Sequence, residues 1–409
     1  MQKKGIIISI LILFSLFPAT AQKVKTGIEV LKESSFQALQ NKRVGLITNQ
    51  TGVDSDLQST IDILHNAENI QLTALFAPEH GVRGNIYAGD KVENNTDPQT
   101  GLPVHSLYGR TSKPTPEMLK NIDVLVYDIQ DIGCRSYTYI STMGLAMQAA
   151  AENNIEFMVL DRPNPLGGEK TGGNYVEEGY FSFVSRYKIP YIYGQTCGEL
   201  AIMLNEENML GKKCKLTVIP MKGWSRDMTW QDTGLPWVMT SPHIPQPQST
   251  FFYPMTGILG ELDFVSIGVG YTLPFELVAA PWINGEKLAE SMNKLHLPGY
   301  KFRPVTYKPY YGKFKGETCQ GIQIHITDYH QADLSKTQFY ILQELYKLYP
   351  DKAVFSTEDN KRFNMFDKVC GTNKIRLAFR KNYQVKDITP IWDKDTEEYK
   401  KMASKYYLY

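Results

Sequence analysis

Four times between residues 43 and 165 a short apolar run ends in a polar cluster. Residues 44–48 run into Asn49-Gln50-Thr51-Gly52, and residues 72–77 run into Pro78-Glu79-His80-Gly81. Residues 122–127 then lead to Asp128-Ile129-Gln130-Asp131-Ile132-Gly133, and residues 157–160 to Asp161-Arg162-Pro163-Asn164-Pro165. Helically spaced segments at 59–66 and 138–152 separate them. Near-continuous apolar strands alternating with helices predict a parallel sheet covered on both faces. Open sheets of this kind hold ligands at the carboxyl ends of their strands. One crevice should therefore collect Asn49, Glu79, His80, Asp128, Asp131, Asp161 and Arg162. Turns and helix caps alone would account for one such cluster; four in succession indicate a site.

Beyond the fourth strand the pattern changes. A helix is expected over 197–207 and a strand over 216–221. The stretch 223–254 is irregular, with Trp224, Trp230, Trp237 and five prolines, and a loop of that length inside a compact unit is usually functional. Helices over 285–295 and 336–349 and an alternating strand over 321–327 suggest a second, smaller α+β unit. The expected division is 22–255 for the α/β unit and 256–409 for the smaller one.

Residues 1–21 read as a secretory signal peptide. Lys3 and Lys4 precede an apolar run over 5–17, and Ala19-Thr20-Ala21 offers small residues for cleavage. The apolar run is shorter than the roughly 20 residues that span a bilayer, and Gln22 stands where a lipoprotein would need Cys. The chain is therefore expected to be periplasmic or secreted, without membrane insertion after cleavage.

With 44 basic and 43 acidic residues the formal net charge is +1, so no concentrated basic field points to nucleic acid. Five cysteines lie far apart with no C-x-x-C pair, which excludes zinc-ribbon and thioredoxin chemistry and leaves scattered thiols with at most one bridge. The motifs G-x-G-x-x-G, G-x-x-x-x-G-K-[ST], H-E-x-x-H and G-x-S-x-G are all missing. No cofactor and no metal are expected.

Longer motifs carry more information. These are Leu75-Phe76-Ala77-Pro78-Glu79-His80-Gly81-Val82-Arg83-Gly84, Ser106-Leu107-Tyr108-Gly109, Tyr127-Asp128-Ile129-Gln130-Asp131-Ile132-Gly133-Cys134-Arg135-Ser136-Tyr137-Thr138 and Leu160-Asp161-Arg162-Pro163-Asn164-Pro165-Leu166-Gly167-Gly168. Together they closely resemble the NamZ-type exo-β-N-acetylmuramidases, glycoside hydrolase family 171. The resemblance implies a Rossmann-like catalytic domain followed by a smaller α+β domain, with the active-site cleft between them. It also implies an exported enzyme that removes terminal N-acetylmuramic acid from the non-reducing end of peptidoglycan fragments. The chain departs from the family pattern over 260–276, where Val269 stands near the place of an expected Arg.

Glycoside hydrolysis needs a carboxylic acid for the leaving oxygen and a second group to activate water or stabilise the oxocarbenium-like transition state. Glu79, Asp128 and Asp131 are the catalytic candidates. Asn49, His80, Arg83, Arg135, Tyr137, Asp161, Arg162, Asn164, Trp237 and His243 are the substrate-binding candidates. A lactyl carboxylate suits a bidentate Arg, so Arg83, Arg135 and Arg162 are its expected readers. The rival reading is a glycan-binding protein without catalysis or with altered specificity. An esterase or amidase on the same polymer is a weaker third.

Overall fold

The computed structural model describes residues 23–79, 81–84, 95–356 and 361–409. The segment read as a signal peptide, residues 1–21, lies outside them. The predicted strands form at β1 (Arg43–Thr48), β2 (Gln71–Ala77), β5 (Val124–Asp128), β6 (Glu156–Leu160) and β7 (Lys215–Ile219). Two short strands that the apolar pattern missed, β3 (Asn95–Thr96) and β4 (Pro103–Ser106), complete the sheet. The order is β3-β4-β2-β1-β5-β6-β7, and all pairs are parallel except the two-residue edge strand β3. The α/β class is as the sequence predicts.

The central strands are buried almost throughout, and successive side chains enter opposite cores because they point to opposite faces. Leu125 and Tyr127 join the core under the helix Tyr139–Glu152, while Val124 and Val126 join the core under the helices Gly27–Glu33 and Thr60–His65. Both faces are thus covered, and the order of strands along the sheet changes sense at β1, between β2 and β5. That is the switch point at which a crevice opens past the carboxyl ends.

The second unit has a three-stranded antiparallel sheet in the order β8-β10-β9, from β8 (Leu277–Ala280), β9 (Tyr300–Tyr307) and β10 (Cys319–Ile326). Its helices Gly285–Lys294 and Thr337–Leu348 match the predicted ones within a residue. The core of this unit takes in Ile132, Cys134, Leu166, Tyr191 and Ile192 from the first unit. One helix, Ser249–Gly260, runs across residue 255. In return, Tyr399 and Ala403 pack into the core of the first unit. All five cysteines are buried and unpaired. Among the described residues no helix is long and apolar enough to cross a membrane.

Candidate active site

At the carboxyl ends of β2 and β5 lies a cleft of about 150 Å³. Glu79, two residues past β2, supplies its carboxylate, and the turn 136–139 past β5 supplies Ser136, Tyr137, Thr138 and Tyr139. Ser241, His243 and Ile244 of the Trp-rich stretch form a second wall, and Tyr253, on the helix Ser249–Gly260 that crosses between the units, and Phe275 of the second unit close the far side. The cleft therefore sits where the two units meet. A larger cleft of about 430 Å³ runs past Lys170, Asp333, Lys336 and Asp393. Its aspartates are already paired, with Lys336 2.7 Å from Asp393 and 3.1 Å from Asp333, and Lys170 donates to the carbonyls of His330 and Ala332.

Glu79 is half-buried and held. The Thr138 hydroxyl donates to its Oε2 at 3.3 Å, and the Tyr108 hydroxyl lies against the same carboxylate. Burial, and then the neighbouring Glu79 charge, push the Tyr108 phenol well above its ordinary range. Burial does the same to Tyr137, Tyr139 and Tyr253. All four phenols keep their protons at neutral pH, and those of Tyr137 and Tyr139 are already given to Thr240. The wall is rigid because its rings interlock: Tyr137 stands edge-on to Tyr139 at 5.0 Å and to Tyr253 at 5.6 Å. Tyr137 Oη donates to Thr240 Oγ1 at 2.7 Å and Tyr139 Oη to the Thr240 carbonyl at 2.6 Å. Gln50 Nε2 donates to the Met239 carbonyl at 2.9 Å. These bonds clamp the Trp-rich stretch onto the first unit and bring His243 over the cleft.

Of the sequence candidates, the structure brings together Glu79, Tyr137 and His243. His80 lies outside the described residues. The remaining polar strand-end residues build the loops instead of facing the cleft. Asp128 is fully buried, gripped by Arg162 through Nε at 2.5 Å and Nη2 at 2.9 Å and by the Thr60 hydroxyl at 2.5 Å. Asp161 accepts from the Thr196 hydroxyl, the Gly198 amide and the Tyr409 hydroxyl, which fixes the start of the helix Cys197–Glu206. Asn49 makes a turn with Thr51, accepting from its amide at 2.9 Å. Asn164 Nδ2 donates to the Gln195 carbonyl at 3.0 Å, and its Oδ1 accepts from the Leu166 amide. Trp237 packs edge-on to Trp230 at 4.8 Å and donates to the Ile244 carbonyl, supporting the wall from behind.

None of the three arginines expected to read a substrate carboxylate lines the cleft. Arg83 is paired through two nitrogens with buried Asp97, at 3.1 and 3.0 Å. Arg162 is committed to Asp128. Arg135 is fully buried and donates to the carbonyls of Asn174, Ile189 and Val369, which staples the first unit to the second. Its guanidinium satisfies backbone acceptors that would otherwise be unpaired inside the core.

Asp131 is also away from the cleft. Its Oδ2 accepts from the Tyr193 hydroxyl and the Gly133 amide, and its Oδ1 is buried with no partner among the described residues. Burial pushes its carboxyl up from 3.8 to about 6, against those hydrogen bonds. Because the native state keeps this proton where the unfolded chain has lost it, this group adds stability as pH falls from about 6 toward 4 and not above. Asp131→Asn, neutral at every pH, should remove that component. The Tm of the variant relative to wild type is expected to be highest at pH 7 and to decline toward pH 4; a difference that does not move with pH would mean that Asp131 is ionised throughout.

Tyr108 and Thr138 were legible only in part. Both stand in the long motifs, but Tyr108 follows a four-residue strand too short to register as a period, and Thr138 reads as a helix cap. Tyr253 and Phe275 carried no signal, since their place in the cleft depends on the docking of the second unit. No group of three or more His, Cys, Asp or Glu that could hold a metal occurs among the described residues.

The site can be set beside known proteins. A family described as exo-β-N-acetylmuramidase NamZ matches twice, its N-terminal part over residues 44–248 and its C-terminal part over 251–409. The peptidoglycan β-N-acetylmuramidase NamZ of Bacillus subtilis (strain 168) is 46% identical over 391 residues, covering 96% of this chain and 92% of that protein. Two crystal structures of DUF1343 family proteins from Bacteroides fragilis NCTC 9343 share the fold. One is 61% identical with a TM-score of 0.92, covering 95% of this chain and 99% of the other. The second is 29% identical with a TM-score of 0.75, covering 94% and 99%.

Proposed function

The chain belongs to the exo-β-N-acetylmuramidase NamZ family, and on that premise we propose that it releases terminal N-acetylmuramic acid from the non-reducing end of peptidoglycan fragments. It is a glycosidase of the peptidoglycan muramidase class. The observation that carries the finer reading is the Glu79 carboxyl, held by Thr138 and Tyr108 in a tyrosine-walled cleft at the carboxyl ends of the sheet. Glu79 acts as the general acid that protonates the leaving oxygen. Among the described residues lining the cleft it is the one carboxylate. The reading therefore gives the stabilising role to the substrate's own acetamido group, as in glycosidases that work with substrate assistance. The rings of Tyr137, Tyr139 and Tyr253 form the wall that orients the sugar.

The small cleft supports exo action, since it takes a chain end and not a chain. Incubation with a muramoyl disaccharide should release free N-acetylmuramic acid, and longer chains should shorten one sugar at a time from that end. Release of oligosaccharides from chain interiors would overturn the exo reading. The signal peptide over 1–21 supports export to the periplasm or medium, and with it a role in wall turnover and recycling. Secreted protein beginning at Gln22 is the expected result of N-terminal sequencing.

A further inference from the structure

A cleft of about 150 Å³ is smaller than the roughly 300–1,000 Å³ pockets that enclose a whole drug-sized ligand, so all of a glycan fragment beyond its terminal sugar must cross the rim. No lysine or arginine lines the cleft among the described residues. Yet a muramoyl fragment carries carboxylates on its lactyl groups or on the peptides attached to them.

One rim element offers both rings and positive charge. Residues 308–316, between β9 and β10, hold Lys308, Tyr310, Tyr311, Lys313 and Lys315 and no acidic residue. Tyr310 is 66% exposed and Tyr311 50%. The Tyr311 hydroxyl lies 2.9 Å from Nε2 of His243, which itself lines the cleft, so the loop begins where the cleft ends. These rings are presented by a built support. The Tyr310 amide donates to the Gly270 carbonyl at 2.8 Å, its ring stacks on Tyr271 with centroids 5.5 Å apart, and the Gly316 amide closes the loop onto the Pro309 carbonyl at 2.9 Å. Gly270 has φ +91°, and any side chain there would run into the Tyr311 carbonyl. This support is part of the segment 260–276, in which the chain departs from the family pattern.

We propose that residues 308–316 form the subsite for the leaving part of the substrate, a peptide-bearing glycan. The rings of Tyr310 and Tyr311 pack on the C–H faces of sugars beyond the cleaved bond. Lys308 and Lys315, both exposed, attract the carboxylates of the attached peptide, while Lys313 is held 3.6 Å from Asp263. The proposal rests on the muramidase reading for the identity of the glycan, but binding can test it without turnover.

Two substrates separate the parts: a chromogenic muramide with a small aryl leaving group, and a muramoyl tetrasaccharide carrying peptides. In the double variant Lys308→Gln/Lys315→Gln, the ratio of kcat/KM for the tetrasaccharide to that for the muramide is expected to fall about tenfold, the upper scale of two exposed charge contacts together. The preference of the wild type should weaken as salt is raised. Tyr310→Ala should lower the same ratio for peptide-bearing and peptide-free tetrasaccharides alike. A ratio that does not change in either variant overturns the proposal. If the wild type turns over neither substrate, the muramidase reading fails on its own. Calorimetric Kd for the tetrasaccharide, expected about tenfold weaker in the lysine variant, then decides the subsite, and equal affinity rejects it.

Discussion

Glu79→Gln is expected to lower kcat on a muramoyl substrate by roughly 10²- to 10⁴-fold, the usual worth of a positioned general acid, while the protein unfolds as the wild type does. Glutamine keeps the shape of the side chain and an oxygen for the Thr138 hydroxyl, which now donates to Oε2 at 3.3 Å. It removes the proton that the leaving oxygen must receive. The residue is half-buried at the cleft, so the exchange leaves no buried charge behind. Equal denaturation curves with a kcat reduced by less than about tenfold, below the low end of that range, would take the acid role away from Glu79. Substrate affinity should change little, because the loss lies in the transition state. Binding of a muramoyl fragment that persists in the inactive variant would also separate catalysis from the rival reading of a protein that only binds glycans.

The second large effect is on stability. Arg162→Ala should destabilise the fold by about 3–5 kcal/mol, the cost of leaving one member of a buried pair alone. Asp128 is 0% exposed, and Arg162 supplies two of the three hydrogen bonds to its carboxylate, with Thr60 supplying the third. The same guanidinium also serves the Val53 carbonyl at 2.8 Å, so the loops after β1, β5 and β6 are tied through it. Urea unfolding measures the change. Adding Asp128→Asn to Arg162→Ala should restore part of the loss, because the buried charge is then gone. If Arg162 instead read the lactyl carboxylate, the single variant would unfold like the wild type and would lose its preference for muramoyl over glucosaminyl substrates. The observed pairing favours the first result.

What could be read from the sequence follows the range of the interactions involved. Strand and helix periods are local, and so β1, β2, β5, β6 and β7 lie within a few residues of their expected places. The long motifs carried the family, and parallel order carried the crevice at the strand ends. The pattern missed β3 and β4, which are two and four residues long and too short to show a period.

Among the polar strand-end residues the sequence could not separate those that face the cleft from those that hold it. An Asp after a strand looks the same whether solvent, substrate or a distant cation meets it. Asp128 meets Arg162 34 residues later, and Arg135 reaches the Val369 carbonyl 234 residues away. Glu79 meets Thr138 at a separation of 59, and His243 meets Tyr311 at 68. By itself, then, the chain's sequence determined the sheet, its direction and the end at which the polar cleft opens, because hydrophobic alternation and turn residues act within a few positions. Only the tertiary structure decided that Glu79 and the tyrosines stand in the cleft while Asp128, Asp131, Asp161 and the arginines are spent on the scaffold. A buried charge must find its partner wherever the fold brings one, and that choice is made by packing between segments far apart in the chain.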